Sequence, residues 1–573
     1  MDHTDSPSGR RAGAMADDVF SPARPPEEFG YQGVNHRQVV DDGLRIEYDL
    51  PIILRDGLTL RADFYREDTV EAELPILVVW SPYGKHGFVT WAMFEGSEVA
   101  LDKLSKHTLV ECPDPVVWCS KGYGLLVVDP RGTWGSEGDI SVQSPQERDD
   151  LYDTIEWVAT QPWSNGRVGM AGMSYFGWSQ WQAASTTPPH LAAILPYDGA
   201  SDPYREVAFH GGIPNDQFMR TWGRGKTMWG HQRAEDWLKA TELHPLLDDY
   251  WRSKQPVLER IEVPTYVVAS WTDHGIHTRG SLEGYRKISS RHKFLEVHGR
   301  KKWARYYWDD SVRRQIAFFD RYLKGLPNEV DDWPPVRIEV RDRYYSGQWR
   351  DEQEWPIART THIPLYLDAA TRSASLAESH PETTVSYDAT AQEITAVFDY
   401  AFPADTEITG YAKLKLWIST DGADDADLFV AVQKRDRAGE AVTFPYFTLQ
   451  SDGQATHGWQ RVSHRELDDE LSTAEQPVHP HRREQRLTAG EIVPVEIELW
   501  PSSTSYLAGE SLRVLVKGTD IQSYPPTTFV AGHTSDRNRG RHTIHTGGRY
   551  DSHLLIPVIP ASLHRKEADA AIQ

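Results

Sequence analysis

The sequence predicts an α/β fold, in which a mostly parallel sheet is covered by helices, interrupted by a helical insertion and followed by an all-β unit. Three observations predict it. Continuous apolar runs recur through the first 330 residues, a Trp-rich stretch without such runs lies at 201–255, and apolar residues alternate with polar ones beyond residue 330. The change of period places a domain boundary near residue 330.

The parallel sheet is predicted from short Val-, Ile- and Leu-rich segments bounded by Gly and Pro. Such runs are typical of strands buried on both faces, as parallel strands between helices are. The runs occupy residues 76–80, 124–128, 167–171, 265–269 and 293–297. Between two of them, a segment that begins at Ser144 carries Leu151, Ile155 and Val158 at helical spacing, which predicts a capped helix.

The all-β unit is predicted from strict alternation of apolar and polar residues in segments separated by Gly, Pro, Asp and Ser. Alternation directs one face of each strand to a core, as in an antiparallel sandwich. The alternating segments lie at 336–341, 413–418, 495–500 and 512–516. The predicted organisation is a flexible leader at 1–30, an α/β domain at 31–200 and 256–328, a helical cap at 201–255 and a β-sandwich at 329–573.

Length, charge and cysteine content exclude several classes of protein. With 573 residues, the chain is longer than one ordinary domain. Its net charge of −23 argues against nucleic acid as a partner, because phosphates attract basic surfaces. Two cysteines, Cys112 and Cys119, are too few for a disulfide framework or a Cys-rich zinc site. We expect no cofactor, and homo-oligomerisation is left open.

The sequence predicts neither a membrane span nor a secretory signal. No run approaches the ~18 uninterrupted apolar residues that cross a bilayer, and the N-terminal segment is polar. We therefore expect a cytoplasmic protein without membrane contact. Met15 is an alternative start to Met1.

A serine flanked by glycines follows one predicted strand and precedes a helix-compatible stretch. Residues 172–177 read Gly-Met-Ser-Tyr-Phe-Gly. A nucleophile elbow requires this context, because small residues let the chain turn sharply and lift the Ser174 hydroxyl to the C-terminal edge of the sheet. The second glycine of the usual G-x-S-x-G pattern is displaced by one residue, to Gly177. The other interpretation is a helix-capping serine.

An acid and then a histidine, each at the end of a strand, would complete a hydrolase site behind Ser174. Asp273 lies just past the fourth apolar run, and His298 lies just past the fifth. We therefore expect Asp273 to be the acid and His298 the general base.

Other histidines are less well placed for this role. His292 precedes its strand and so lies at the opposite edge of the sheet, while His274 and His277 crowd the loop of the acid itself. Strand-end geometry therefore favours His298.

Acyl transfer also needs hydrogen-bond donors for the developing oxyanion. The residue after the nucleophile offers its backbone N–H, here that of Tyr175. The second donor is expected at the end of the first apolar run, where the Tyr83 phenol lies in a Ser-Pro-Tyr-Gly-Lys segment. The alternative is that Tyr83 is a loop tyrosine packed on the surface, with no role as an oxyanion donor.

Several short motifs in the chain are similar to those of one known protein family. They lie at 53–60, 81–85, 129–132, 136–138, 162–163 and 172–177. Together they resemble the cocaine-esterase and Xaa-Pro dipeptidyl-peptidase family of α/β-hydrolases, also described as CocE/NonD-type acyl esterases. The resemblance spans roughly 44–560 and implies an α/β-hydrolase domain with a helical cap and a C-terminal jelly roll of the galactose-binding-like type. It also implies Ser174 as nucleophile, Asp273 as acid, and Tyr83 with the Tyr175 amide as oxyanion hole.

Two segments depart from this family. Members often carry the catalytic histidine in a Gly-Pro-Trp-x-His motif, whereas residues 297–303 read Val-His-Gly-Arg-Lys-Lys-Trp. The loop after Asp273 lacks the aromatic neighbour with which some esterases wall the acyl pocket. The prediction of His298 therefore rests on its strand-end position rather than on the family motif. Because the aromatic neighbour is missing, the resemblance to the family is a weaker guide to the substrate.

The predicted function is a serine hydrolase that cleaves a small-molecule carboxylic ester or an amide, including an Xaa-Pro peptide bond, through an acyl-enzyme. The first alternative is a non-catalytic binding protein on a hydrolase fold, whose jelly roll binds carbohydrate or a protein. The second is metal-dependent hydrolysis, prompted by 23 histidines and an acidic cluster at 424–427. No zinc-binding spacing supports it, and the cluster favours a solvated turn.

A peptidase would need a carboxylate for the free amine of its substrate. The predicted cap offers four candidates, which are Glu206, Asp216, Glu235 and Asp236. The pattern does not decide which of them, if any, faces the site.

Overall fold

The computed structural model describes residues 18–85, 91–378, 380–393 and 396–560. The strands of its N-terminal part are β1 (Phe20–Pro22), β2 (Arg37–Asp41), β3 (Leu44–Ile53), β4 (Thr59–Glu67), β5 (Leu74–Trp80), β6 (Gly124–Asp129), β7 (Ser164–Met170), β8 (Leu191–Ile194), β9 (Phe209–His210), β10 (Ile213–Pro214), β11 (Arg233–Glu235), β12 (Thr265–Ser270) and β13 (Lys293–His298). The α-helices are α1 (Pro115–Cys119), α2 (Pro145–Ala159), α3 (Tyr175–Ser185), α4 (Asp216–Phe218), α5 (Trp237–Leu243), α6 (Asp249–Ser253), α7 (Thr278–Lys287), α8 (Lys302–Tyr307) and α9 (Asp309–Leu323).

A mixed sheet forms the centre of this part, in the order β2-β3-β4-β6-β5-β7-β8-β12-β13. Strands β5 to β8, β12 and β13 pair in parallel, while β2, β3 and β4 form an antiparallel extension at one edge. The five predicted apolar runs coincide with β5, β6, β7, β12 and β13, and every residue of β5, β6 and β12 is buried. Because parallel strands end at the same edge, the loops that follow them meet there.

Helix α2 confirms the capped helix predicted after β6. Ser144 Oγ accepts a hydrogen bond from the Glu147 N–H at 3.1 Å, and Leu151, Ile155 and Val158 face the core. The buried stripe packs the helix on the sheet, which fixes the start of β7 and thus the turn that follows it.

The segment between β8 and β12, predicted as a cap, contains short elements. Besides α4 to α6, it has π-helical turns at Pro203–Ala208 and Met219–Arg224 and the short strands β9 to β11. Its tryptophans are fully buried, and these are Trp222, Trp229, Trp237 and Trp251. Aromatic packing therefore supplies much of the core of this segment.

The leader predicted at 1–30 is partly ordered. Val19 is fully buried, and β1 pairs with β11, where Phe20 lies opposite Glu235. Because these apolar residues find a strand to pair with, the prediction of flexibility is wrong for residues 18–30. Residues 1–17, with Met15 among them, lie outside the described residues.

The C-terminal part is rich in antiparallel strands. They are β14 (Val336–Arg343), β15 (Ser346–Glu352), β16 (Thr361–Asp368), β17 (Ser373–Ser375), β18 (Thr383–Asp388), β19 (Ala396–Ala401), β20 (Thr406–Asp421), β21 (Asp427–Arg435), β22 (Ala441–Val442), β23 (Phe444–Tyr446), β24 (Gln450–Gly453), β25 (Thr456–Arg461), β26 (Val493–Tyr506), β27 (Ser511–Lys517), β28 (Arg541–Thr546) and β29 (His553–Ile559). One set of strands runs β18-β28-β20-β29-β16 and another runs β19-β27-β21-β25. Both contribute alternate side chains to one apolar core, which the alternation predicted.

The first two of these strands belong to the mixed sheet of the N-terminal part. β14 pairs in parallel with β13, where Leu295 lies opposite Val336, and β15 pairs antiparallel with β14. The sheet therefore continues past the boundary predicted at 329, because the exposed edge of β13 is completed by the next segment of chain. Buried Arg341 of β14 then joins the two parts through hydrogen bonds to Ser503 O and Ser502 Oγ.

The acidic cluster at 424–427 is not the solvated turn that the sequence predicted. Asp425 and Asp427 are buried, and they accept hydrogen bonds from Ser463 and Arg461. These hydrogen bonds link the start of β21 to β25 and to the turn that follows it. In the described part of the chain, no helix is both long and apolar enough to cross a bilayer.

Candidate active site

The turn between β7 and α3 has the geometry of a nucleophile elbow. Ser174 has φ 61° and ψ −121°, and it precedes α3 without its side chain capping the helix. Gly172 is required because a Cβ there would lie 2.5 Å from Phe176 Cβ. Gly177 is required because a Cβ would lie 2.9 Å from Tyr197 O. The displaced second glycine thus serves close packing, and the capping interpretation of Ser174 does not hold.

Three side chains form a hydrogen-bonded chain that starts at this serine. Ser174 Oγ lies 3.4 Å from His277 Nε2, and His277 Nδ1 forms a short hydrogen bond with Asp273 Oδ2. His277 and Asp273 are almost wholly buried. An imidazole that donates from Nδ1 to a carboxylate presents its Nε2 lone pair to the serine hydroxyl, which is the arrangement of a general base.

His298, the histidine predicted for this role, lies elsewhere. Its Nε2 is 3.1 Å from the Tyr197 hydroxyl, and its Nδ1 accepts from the Arg300 N–H at 3.2 Å. Burial, followed by the charges of Arg305 and Arg300, holds its pKa well below the ordinary value. The last residue of β13 points into the packing around Tyr197, so both ring nitrogens are engaged away from Ser174. The structure thus brings His277, and not the predicted His298, to the Ser174 hydroxyl.

The position of His277 follows from a helical turn that begins at the acid. The carbonyl of Asp273 accepts from the N–H groups of Ile276, His277 and Thr278 at 3.3 to 3.4 Å. Residues four apart lie on the same face of such a turn. The Asp-x-x-x-His spacing is therefore a usable signal in the sequence. The closeness of His277 to Asp273 along the chain, which the sequence analysis counts against His277, is what brings the two side chains together.

A lysine lies on the other side of the acid. Lys302 Nζ is 2.9 Å from Asp273 Oδ2 and 3.2 Å from His277 Nδ1, and the lysine is buried. Burial raises the pKa of Asp273, but the charges of Lys302 and His277 outweigh it and hold that pKa below the ordinary value. Burial and then the charge of Lys302 lower the pKa of His277 to about 4. At neutral pH the site therefore holds a carboxylate, an ammonium and a neutral imidazole.

Both predicted oxyanion donors lie near Ser174. Tyr83 is buried, accepts from the Trp222 indole N–H at 3.0 Å and interacts with the Ser174 hydroxyl. Burial raises the pKa of its phenol far above the ordinary value, so the hydroxyl keeps its proton for donation. Tyr175 opens α3, and the first N–H groups of a helix have no acceptor within it. Both groups can therefore donate to an oxygen above the serine.

A buried glutamate that the sequence analysis missed also faces the serine. Glu111 has φ 67°, its carbonyl accepts from the Met173 N–H at 2.9 Å, and its carboxylate accepts from the Trp303 indole at 2.8 Å. Its carboxyl interacts with Ser174, and burial raises its pKa to about 7. A left-handed backbone at a bulky residue is an uncommon conformation that clusters at functional sites. No motif pointed to it.

The C-terminal part holds the loop that carries the acid. The Phe447 N–H donates to Thr272 O at 2.7 Å, and the Phe447 ring lies 5.3 Å from Lys302 Nζ. Gly275 packs so closely on Ala531 that a Cβ would approach it to 2.8 Å. The β-rich part thus borders the site, although it supplies neither serine, histidine nor acid.

The acidic residues considered for a substrate amine are already paired. Glu206 pairs with Arg279 at 2.9 Å, Glu235 with Lys254 at 2.8 Å, Asp236 with Arg224 at 2.7 Å and Asp216 with Arg220. Each carboxylate is therefore engaged by its own cation.

In comparisons with known proteins, the chain matches hydrolase families and a solved hydrolase structure. Residues 56–300 match the family described as X-Pro dipeptidyl-peptidase (S15 family), and residues 328–555 match the X-Pro dipeptidyl-peptidase C-terminal non-catalytic domain. A solved CocE/NonD family hydrolase from Staphylococcus aureus is 40% identical, with a TM-score of 0.87, over 92% of this chain and 96% of that chain.

More distant relatives also match most of the chain. Cocaine esterase from Rhodococcus sp. is 25% identical over 612 aligned positions, which cover 91% of this chain and 100% of the esterase. An aminopeptidase from a marine sediment Thaumarchaeota archaeon is 18% identical, with a TM-score of 0.68, over 92% of this chain and 96% of that chain. The latter likeness concerns the fold alone.

Proposed function

Because the chain belongs to the CocE/NonD family of serine hydrolases, we propose that Ser174, His277 and Asp273 are its catalytic triad and that it hydrolyses carboxylic esters or amides. The observation that carries this proposal is the hydrogen-bonded chain from Ser174 Oγ through His277 to Asp273. The Ser174–His277 distance of 3.4 Å suits a site without substrate, in which such hydrogen bonds are often long.

The first half of the reaction forms the acyl-enzyme. His277 Nε2 takes the proton of Ser174 Oγ as the oxygen bonds to the substrate carbonyl carbon, and the carbonyl oxygen becomes negative. The Tyr83 hydroxyl and the Tyr175 N–H donate to that oxygen. The protonated imidazole then gives its proton to the leaving alkoxide or amine, and the carbon–heteroatom bond breaks.

Water repeats these steps in the second half. His277 takes a proton from the water, whose oxygen bonds to the acyl carbon, and returns it to Ser174 Oγ as the acid leaves. Asp273 stabilises the imidazolium in both halves. Each cycle consumes one water and leaves the enzyme unchanged.

We propose esters with apolar acyl groups as the preferred substrates. Aromatic rings support this, since Trp178 lies 5.6 Å from the His277 ring and 5.4 Å from that of Trp222, and Phe218 stacks on Trp222. The four cap carboxylates considered for an amine are all occupied by cations. Glu111 supports the second candidate, an aminoacyl substrate, because its buried carboxyl interacts with the nucleophile.

Two further features complete the proposal. The β-rich part is proposed to be a jelly roll, supported by its antiparallel strands around one core. A cytoplasmic location is supported by the buried, unbridged thiols of Cys112 and Cys119, which suit a reducing compartment.

Labelling with a fluorophosphonate probe tests the proposed nucleophile. The wild-type protein should be labelled and should hydrolyse p-nitrophenyl esters, and Ser174→Ala should lose both. Ser185→Ala, at the far end of α3, is the matched control and should retain both. Labelling of Ser174→Ala equal to that of the wild type would exclude Ser174 as the nucleophile. Turnover of acyl against aminoacyl esters of equal size then separates the two substrate classes.

A further inference from the structure

We propose that Lys302 is a positioning residue of the triad, whose ammonium group orients the Asp273 carboxylate and disfavours protonation of His277, so that hydrolysis continues in acid. This inference rests on the proposed function, because it assigns Lys302 a role through His277.

The geometry gives Lys302 two contacts within the triad. Its Nζ donates to Asp273 Oδ2 at 2.9 Å, the same oxygen that accepts from His277 Nδ1, and lies 3.2 Å from that nitrogen. Because one carboxylate oxygen receives both donors, the ammonium and the imidazole hold the acid from two directions. The carboxylate therefore has little freedom to rotate away from His277.

The same geometry disfavours protonation of His277. A second positive charge at His277 would lie within about 4 Å of the lysine ammonium in a site without bulk water, where charge repulsion is strong. The charges of Asp273 and two further carboxyls outweigh burial and raise the pKa of Lys302, and Asp273 keeps its negative charge as the pH falls. The neutral imidazole is the form that accepts the Ser174 proton, so the lysine preserves the active form as the pH falls.

Protonation of two other carboxyls near the triad also disfavours the His277 cation as the pH falls. Glu111, from the loop before β6, and Asp198, from the segment after β8, both contribute to the charge felt by Lys302. Burial is the main cause that raises the pKa of Glu111 to about 7 and that of Asp198 to about 8. Both carboxyls lose their negative charge at higher pH than Asp273 does. As the pH falls, fewer negative charges therefore offset the repulsion between the Lys302 ammonium and a protonated His277. The phenol of Tyr83 stays neutral throughout this range.

A purely structural ion pair is the competing explanation for Lys302. A buried pair can stabilise a loop without affecting the base, and its removal would then lower activity equally at every pH. The dependence of activity on pH is what distinguishes the two, because only an electrostatic effect on His277 moves the acid limb of the profile.

The test compares the pH profiles of kcat/KM for a p-nitrophenyl ester in wild type, Lys302→Met, Lys302→Arg and Lys301→Met. Lys301 is the matched control, since its Nζ bonds to Gly96 O and Glu98 rather than to the triad. The wild-type acid limb should lie near the pKa of about 4 of His277. In Lys302→Met it should move up by at least one pH unit, toward the ordinary value of about 6.5.

The other variants give the proposal further ways to fail. Lys302→Arg keeps the charge and should hold the limb near its wild-type position, as should Lys301→Met. An unmoved limb in Lys302→Met, or an equal shift in Lys301→Met or Lys302→Arg, would overturn the proposal. Profiles repeated with Glu111→Gln in each background identify any limb that belongs to that carboxyl.

Two readouts keep the result interpretable. If Lys302→Met does not fold, the wild-type profile decides, because a wild-type limb at about 6.5 contradicts the proposal. Fluorophosphonate labelling of the wild type tests the proposed function separately. Absence of Ser174-dependent labelling counts against the triad itself, whereas an unmoved limb with intact labelling counts only against the role of Lys302.

Discussion

Two neighbouring parallel strands, β12 and β13, end side by side, and Ser270 lies opposite His298 in their register. The chain after β12 turns at once into a helical turn that carries Asp273 and His277 back toward Ser174. Strand β13 itself ends with a histidine, His298, that is buried against Tyr197. A histidine at a strand end therefore need not reach the serine, because the turn that follows the neighbouring strand decides which side chain meets it.

The segment after β13 nevertheless contributes to the site. Lys302, four residues beyond His298, reaches Asp273 and His277, so one strand end supplies the proposed base and acid and the other supplies a cation. Substitutions at each strand end test this division of roles.

The largest effect is expected from the β12 side. Asp273→Asn should lower kcat by about 10⁴, because the amide cannot stabilise the imidazolium and favours the wrong tautomer of His277. The measurement is kcat for a p-nitrophenyl ester at pH 8, with thermal unfolding as a check of folding. Asp198→Asn is the control, since Asp198 accepts from Ser270 and does not contact His277 in the described structure. A loss in Asp273→Asn no greater than that in the control would contradict the account.

A smaller effect is expected at a third strand end, after β5. Tyr83→Phe removes one oxyanion donor and should cost about 10² to 10³ in kcat with little change in KM. The Trp222 indole, which donates to the phenol, would lose an acceptor, so unfolding temperature should be recorded for each variant. A variant as fast as the wild type would return Tyr83 to a structural role.

Much of the sheet could be predicted because its strands are buried on both faces and therefore read as continuous apolar runs. The elbow could also be predicted, since Gly172 and Gly177 are dictated by close contacts with Phe176 and Tyr197. The strand-end position of Asp273 predicted that it lies near the site, because an acid one turn beyond a strand remains near the sheet edge, and Asp273 contacts His277 in the structure.

The base and its electrostatic surroundings could not be predicted in the same way. His277 depends on a turn whose N–H groups converge on the Asp273 carbonyl, and this local conformation outweighs strand order. Glu111 and Lys302 reach the site from segments without a recognisable motif. The alternation of β14 predicts a strand of the β-rich part, whereas the structure places it between β13 and β15 in the N-terminal sheet.

The most direct test of the account compares the two histidines. We predict that His277→Ala loses at least about 10⁴ in kcat/KM and reacts with the fluorophosphonate probe at a residual rate only. His298→Asn, which can keep a hydrogen bond to Tyr197, should retain labelling and turnover within about tenfold of the wild type, an allowance for altered packing. Loss of labelling in His298→Asn, with His277→Ala active and both proteins folded, would contradict the assignment of His277 as the general base.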